Sequence, residues 1–165
     1  MREPAQILPR VLFVCLGNIC RSPLAEAAFR AEAAAAGLDA QADSAGTAGY
    51  HVGSPPDRRA IAEAARHGID IAHYRGRQVT AGDFRAFTHV FALDADNLAS
   101  LRRVRPADGT AALSLLMDVV PGRQGRPVAD PYYGDAADFA KTWAEVHEAS
   151  RALVTRLTET TLSSR

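Results

Sequence analysis

Five residues separate Cys15 from Arg21, with Gly17, Asn18 and Ser22 around them, in the run Cys-Leu-Gly-Asn-Ile-Cys-Arg-Ser. Residues of these types can close a loop around a tetrahedral anion. Gly17 places no side chain in the turn and Asn18 tolerates a left-handed backbone, so successive N–H groups can point inward. Leu16, Ile19 and Cys20 complete the loop, the first two as apolar lining. Arg21 offers a planar fork to two oxygens of the anion. The same positive surroundings favour the thiolate of Cys15, and Ser22 can donate a hydrogen bond to it. Thiolate, cradle and guanidinium together are what transfer of a phosphoryl group to sulfur requires. Spacing alone is a weak signal, because a free cysteine at a strand end is often just a small hydrophobe in a core.

The elements around the loop strengthen it. Val11 to Cys15 is a short apolar run followed at once by Gly, Asn, Ser and Pro, as suits a buried parallel strand. A helix is expected next, with Ser22 as cap, Pro23 in the first turn and Glu26 near the positive end. It should run from Leu24 to Ala36 and stop at Gly37. Further along, Ala40–Ala45, Thr88–Leu93 and Ala111–Met117 read as strands. Pro56–His67 and Asp96–Val104 read as helices, the first stopped by Gly68. After a turn-rich stretch from Pro121 to Gly134, Phe139, Trp143, Val146, Leu153 and Leu157 recur at the spacing of one helical face. Strands alternating with helices predict an α/β fold: a three-layer domain with a central four-stranded, mostly parallel sheet flanked by helices. In such sheets ligands sit beyond the carboxyl ends of the strands, which is where the Cys15–Ser22 loop falls.

Length and composition bound the rest. The 165 residues, 47% of them hydrophobic, suit one domain spanning 1–165 with a core of its own. Lys plus Arg and Asp plus Glu both number 19, so no overall field steers the chain to nucleic acid or an anionic membrane. Two cysteines five positions apart are no disulfide framework of a secreted domain, and a reducing, cytoplasmic setting is expected. Met1 to Arg10 holds two prolines and no apolar run of signal-peptide type, and no stretch approaches the length of a membrane span. The histidines show no metal-ligand spacing, and the chemistry of the loop calls for no metal or cofactor.

Val14-Cys15-Leu16-Gly17-Asn18-Ile19-Cys20-Arg21-Ser22-Pro23, followed by Ala25-Glu26, resembles the signature of the low-molecular-weight protein tyrosine phosphatases. Ser44-Ala45-Gly46-Thr47, Pro56-Asp57, Arg77-Gln78, Asp83-Phe84, Asp94 with Asn97, and Asp130-Pro131-Tyr132-Tyr133-Gly134 resemble family motifs in the same order. By itself an Asp-Pro pair is more often just a turn. The resemblance implies that Asp130 is the acid that protonates a phenolate leaving group, and that Tyr50, Tyr132 and Tyr133 wall an aromatic pocket. For Tyr133 ordinary surface packing is an equal alternative. Ile19 stands where relatives acting on phosphoarginine tend to carry Thr, which favours phosphotyrosine. Cys20 is near enough in sequence to pair with Cys15, and the resemblance implies a protective disulfide. It can equally be a small residue packed under the loop. A His that braces the loop in the family is replaced by Tyr74, leaving either that hydroxyl or the neighbouring His73 for the task.

The implied partners are a phosphotyrosine-containing protein and, as a candidate, a tyrosine kinase, and the expected assembly is a monomer or weak dimer. Two rivals remain. A thiol-dependent arsenate reductase of the same fold needs further cysteines, and none follows Cys20. A non-catalytic phosphotyrosine-binding module needs neither the thiol nor the acid.

Overall fold

An unbroken apolar run, Val11-Leu12-Phe13-Val14-Cys15, lets the first strand bury both of its faces. In the computed structural model, which describes the backbone of residues 8–163 and side chains to residue 160, β1 spans Arg10–Cys15. Val11 and Phe13 enter one core cluster while Leu12 and Val14 enter the other. The expectation that Met1 to Arg10 is no leader falls mostly outside the described residues. β1 is followed by α1 (Arg21–Ala35), β2 (Gln41–Gly46), α2 (Arg58–Arg66), the single turn α3 (Asp83–Ala86), β3 (His89–Ala92), α4 (Ala95–Val104), β4 (Ala112–Leu115) and α5 (Ala136–Ser163).

The sheet order is β2-β1-β3-β4, and every pairing is parallel. Helices α1, α2 and α5 cover one face, with Leu24, Phe29, Ala60, Phe139, Val146 and Leu153 packed on Val11 and Phe13. Phe84 of α3 and Leu101 of α4 cover the other face against Leu12, Val14 and Val90. Each fully buried Leu or Phe contributes on the order of 1.5–3 kcal/mol of apolar transfer. The expected three layers are present, and the sheet is wholly rather than mostly parallel. The chain leaves β1 for β2 on one side and returns to β3 on the other. The carboxyl end of β1 is therefore a topological switch point, where an open α/β sheet leaves a crevice.

Several boundaries differ from the sequence reading, each for a local reason. Helix α1 begins at Arg21, and its N-cap is Cys20, which makes no side-chain capping bond. Ser22 is thus inside the first turn and does not cap it, because its hydroxyl is taken up by the loop. Glu26 is also not a first-turn dipole partner. It is buried, accepts from Arg30 Nε (2.8 Å) and Ser44 Oγ (2.9 Å), and ties α1 to β2. Leu116 and Met117, expected to end the fourth strand, instead open a 3₁₀ turn (Leu116–Val119) that tucks both under α5. Among the described residues no helix is long and apolar enough to cross a membrane.

Candidate active site

The loop after β1 is held from outside by its own carbonyls. Cys15 O accepts from Thr47 N (2.9 Å), Leu16 O from Ala48 N (3.0 Å), Ile19 O from Asp57 N (2.9 Å) and Cys20 O from Leu24 N (3.3 Å). In a planar trans peptide the next N–H points opposite to the carbonyl. The N–H groups of Leu16, Gly17, Cys20 and Arg21 therefore face away from these partners, on the side of the cleft. Asn18 adopts φ 59°, the left-handed conformation expected of it. Its side chain works in both directions: Oδ1 accepts from Arg77 N (3.0 Å) and Nδ2 donates to Ser22 Oγ (2.8 Å). The same Ser22 hydroxyl lies 3.1 Å from Cys15 Sγ, a contact in which either atom can donate, and 3.5 Å from Ala45 O. At Gly17 the His51 ring leaves no comfortable room for a side chain, since a Cβ there would lie 3.1 Å from its Cδ2.

Arg21 reaches the same place from the first residue of α1. Its Nη1 donates to Asp94 Oδ2 (2.8 Å) and Val128 O (3.1 Å), and its Nη2 lies 3.7 Å from Asp130 Oδ2. Asp94 is separated from the end of β3 by one residue, stands at the N-cap of α4, and does two things at once. One oxygen caps α4 through Asn97 N (2.7 Å), and the other fixes the plane of the guanidinium. Asp130 comes from the turn-rich stretch before α5. Its Oδ1 accepts from Tyr132 N (3.1 Å), which leaves Oδ2 turned toward Arg21. Pro131 is buried and Asp130 exposed, so the carboxyl stands on a turn seated by the proline.

Cys15, Leu16, Gly17, Ile19, Cys20, Arg21, Tyr50, Asp130, Tyr132 and Tyr133 line one cleft of about 270 Å³, joined by His51. Asn18 and Ser22 lie beneath it as buried support. Tyr133 is 97% exposed and meets Tyr132 edge-on, with ring centroids 4.9 Å apart. Cys20 is a free, buried thiol, and burial pushes its pKa up to about 12, so it stays protonated at neutral pH. Among the described residues no group of three or more His, Cys, Asp or Glu side chains could hold a metal ion.

The family model described as low molecular weight phosphotyrosine protein phosphatase matches residues 10–163. The chain belongs to this family. A low molecular weight protein-tyrosine-phosphatase of Streptomyces coelicolor is 44% identical over 91% of this chain and 94% of its own length. The human low molecular weight phosphotyrosine protein phosphatase is 40% identical over 90% of this chain and 96% of its own. The crystal structure of YfkJ from Bacillus subtilis superposes with a TM-score of 0.86 at 36% identity, covering 95% of this chain and 99% of that one.

This low molecular weight phosphatase departs from the family pattern at Tyr74, and the structure distinguishes it from its neighbour. Tyr74 is partly buried against α1, where burial and the nearby Glu26 carboxyl push its pKa up to about 12. Glu26 in turn holds Ser44, two residues before the carboxyl end of β2. His73 is exposed and meets only the edge of the Tyr74 ring. Tyr74 thus packs on the core beside Glu26, whereas His73 does not. Sequence reasoning missed three further residues: the grip of Asp94 on Arg21, His51 at the cleft, and Arg59 beside the Asp130 loop. An acidic residue immediately after a parallel strand was the available signal for Asp94. Nothing local marks His51 or Arg59.

Proposed function

We propose that this phosphatase hydrolyses phosphotyrosine in proteins through a cysteinyl-phosphate intermediate. Cys15 is the nucleophile, Arg21 the phosphate clamp and Asp130 the general acid and then base. One arrangement carries the reading: a sulfur 3.1 Å from a hydroxyl, at the head of a helix, with a guanidinium that has a carboxylate 3.7 Å from its far edge. The inward N–H groups and Arg21 bind three phosphoryl oxygens. The Cys15 thiolate attacks phosphorus in line, the P–O bond to the phenol breaks, and Asp130 gives its proton to the leaving oxygen. Water then attacks the S–P bond and passes a proton to the Asp130 carboxylate, releasing inorganic phosphate and the thiolate, which the Ser22 hydroxyl stabilises.

Leu16, Ile19, Tyr50, Tyr132 and Tyr133 receive the substrate ring, and Cys20 supports the loop as a neutral thiol. The apolar Ile19 fits an aryl ester rather than a charged guanidine. Residues 1–165 act as one domain in the cytoplasm, as a monomer or weak dimer, on a phosphotyrosine protein such as a tyrosine kinase.

Hydrolysis of aryl phosphates by the wild type, Cys15→Ser and Asp130→Asn tests the mechanism. Cys15→Ser should lose at least about 10⁴-fold in turnover. Asp130→Asn should lose about 10²-fold or more, most with poor leaving groups. Undiminished turnover by Cys15→Ser would sink the proposal.

A further inference from the structure

The Asp130 loop is tied down at two ends. Upstream, α5 holds Ala129, whose carbonyl accepts from Thr142 Oγ1 (2.9 Å). Downstream, the bonds converge on a side chain more than seventy residues away in sequence. Arg59, in the first turn of α2, donates from Nη1 to Gly134 O and from Nη2 to Tyr132 O, both at 2.9 Å. Asp57 grips the other edge of the guanidinium, accepting from Nε on one carboxyl oxygen and from Nη2 on the other, both at 3.0 Å. The Asp57 N–H donates to Ile19 O (2.9 Å), inside the nucleophile loop. The guanidinium carbon also lies 4.6 Å from the centre of the Phe139 ring, at the start of α5. A single fork thus spans the distance between the two loops of the site.

The link to the carboxyl is direct. Tyr132 is bonded on both sides: its N–H donates to Asp130 Oδ1 (3.1 Å), and its carbonyl accepts from Arg59. Any shift of Tyr132 carries the carboxylate with it. We propose that Arg59 is a positioning residue for leaving-group protonation, holding the Tyr132 and Gly134 carbonyls against the Asp57 strut so that Asp130 faces the departing oxygen. The inference rests on the reading of Asp130 as the acid. Two carbonyls and a carboxylate around one group call for a rigid planar set of donors, which a lysine ammonium does not have.

The test is kcat/KM for a series of aryl phosphates, from dinitrophenyl phosphate, whose phenolate leaves unaided, to phenyl phosphate, whose phenolate needs a proton. Arg59→Gln should lose about 10-fold or more on phenyl phosphate and less than about two-fold on dinitrophenyl phosphate. Inhibition by inorganic phosphate should stay within about two-fold of wild type, which also shows that the variant is folded around an intact cradle. Arg59→Lys should behave like Arg59→Gln. In an Asp130→Asn background, Arg59→Gln should add less than about two-fold. Equal losses on every substrate, rescue by lysine, weakened phosphate inhibition, or a full additional loss in the Asp130→Asn background would each overturn the positioning role. Asp130→Asn alone separates the two readings. If it keeps the wild-type leaving-group dependence, the acid assignment fails and takes Arg59 with it. If its dependence is steep while that of Arg59→Gln is flat, only the role of Arg59 fails.

Discussion

Two loops face each other across the cleft and are built on opposite terms. In the nucleophile loop Cys15, Asn18, Cys20, Arg21 and Ser22 are all buried, its carbonyls are bonded outward to neighbouring segments, and its polar side chains bond one another. In the acid loop Asp130, Tyr132 and Tyr133 are exposed, and the hold on them comes from Thr142 upstream and Arg59 downstream. An anion cradle stabilises charge only if its donors are aimed before the anion arrives, because turning dipoles during the reaction consumes the gain. A general acid needs only a proton and a short reach at the moment the bond breaks. Damage to the support of the first loop should therefore strike every substrate alike. Damage to the support of the second should strike poor leaving groups.

The largest effect expected on this contrast comes from Asp94, which supports the first loop from outside it. The Arg21 side chain is only 5% exposed, so removing the carboxylate takes away the closer of its two charge partners and leaves a buried cation only the 3.7 Å approach of Asp130. Asp94→Ala should lower kcat/KM about 10²-fold on good and poor leaving groups alike and weaken inhibition by phosphate. It also uncaps α4, a separate cost of about 1 kcal/mol. Asp94→Asn keeps an oxygen for Asn97 N and so separates the two roles: the thermal midpoint should be largely kept and the rate still lost. The contrast breaks if Asp94→Asn slows phenyl phosphate while sparing dinitrophenyl phosphate.

Asn18 should give a smaller effect of the same kind. Its φ of 59° and its two side-chain bonds are separable by substitution. Asn18→Ala loses both bonds and places a Cβ with no local partner in the left-handed region, costing about 1–2 kcal/mol of stability and about 10-fold in kcat/KM. Asn18→Gly relieves the backbone, so unfolding should return toward wild type while the rate does not. Full rescue of the rate by glycine would mean that the side-chain bonds to Ser22 and Arg77 do nothing for the sulfur.

The two loops were also unequally legible in the sequence, for physical reasons. Cys15, Gly17, Asn18, Arg21 and Ser22 are contiguous, so their joint chemistry needs no knowledge of the tertiary fold, and the strand before them announces itself by its unbroken apolar run. The strand and helix pattern gave the three layers for the same reason. Asp130 was visible only through family resemblance, because Asp-Pro also serves as a plain turn. The partner of Arg21 at Asp94 lies 73 residues away, and a capping aspartate gives no sign of a second bond. Ser22 was misread as a helix cap because a hydroxyl at a helix start has that as its default use. Glu26 was misread because its charge suits a helix start, whereas packing buries it against Arg30 and Ser44. Tyr74 and His73 could be told apart only by which ring packs on the core, and that is Tyr74.

The smallest effect is on the acid side of stability, at the strut that joins the two loops. The hydrogen bonds from the Arg59 guanidinium hold the Asp57 carboxyl below its ordinary value of 3.8, against an opposing contribution from burial. A carboxylate depressed in the folded state contributes stability that is present above the unfolded value and lost as pH falls through the folded one. The wild type should accordingly shed this increment below about pH 4. Asp57→Asn keeps an oxygen to cap α2 but has nothing to protonate, so its thermal midpoint should start lower at pH 7 and fall less between about pH 5 and about pH 3. The difference should be modest, because Arg59 is substantially exposed and solvent screens the pair. An equally steep acid fall in both proteins would locate the titration elsewhere. In that case the carboxylate would not be what steadies Arg59, and the nucleophile loop and the acid loop would be joined by packing rather than by charge.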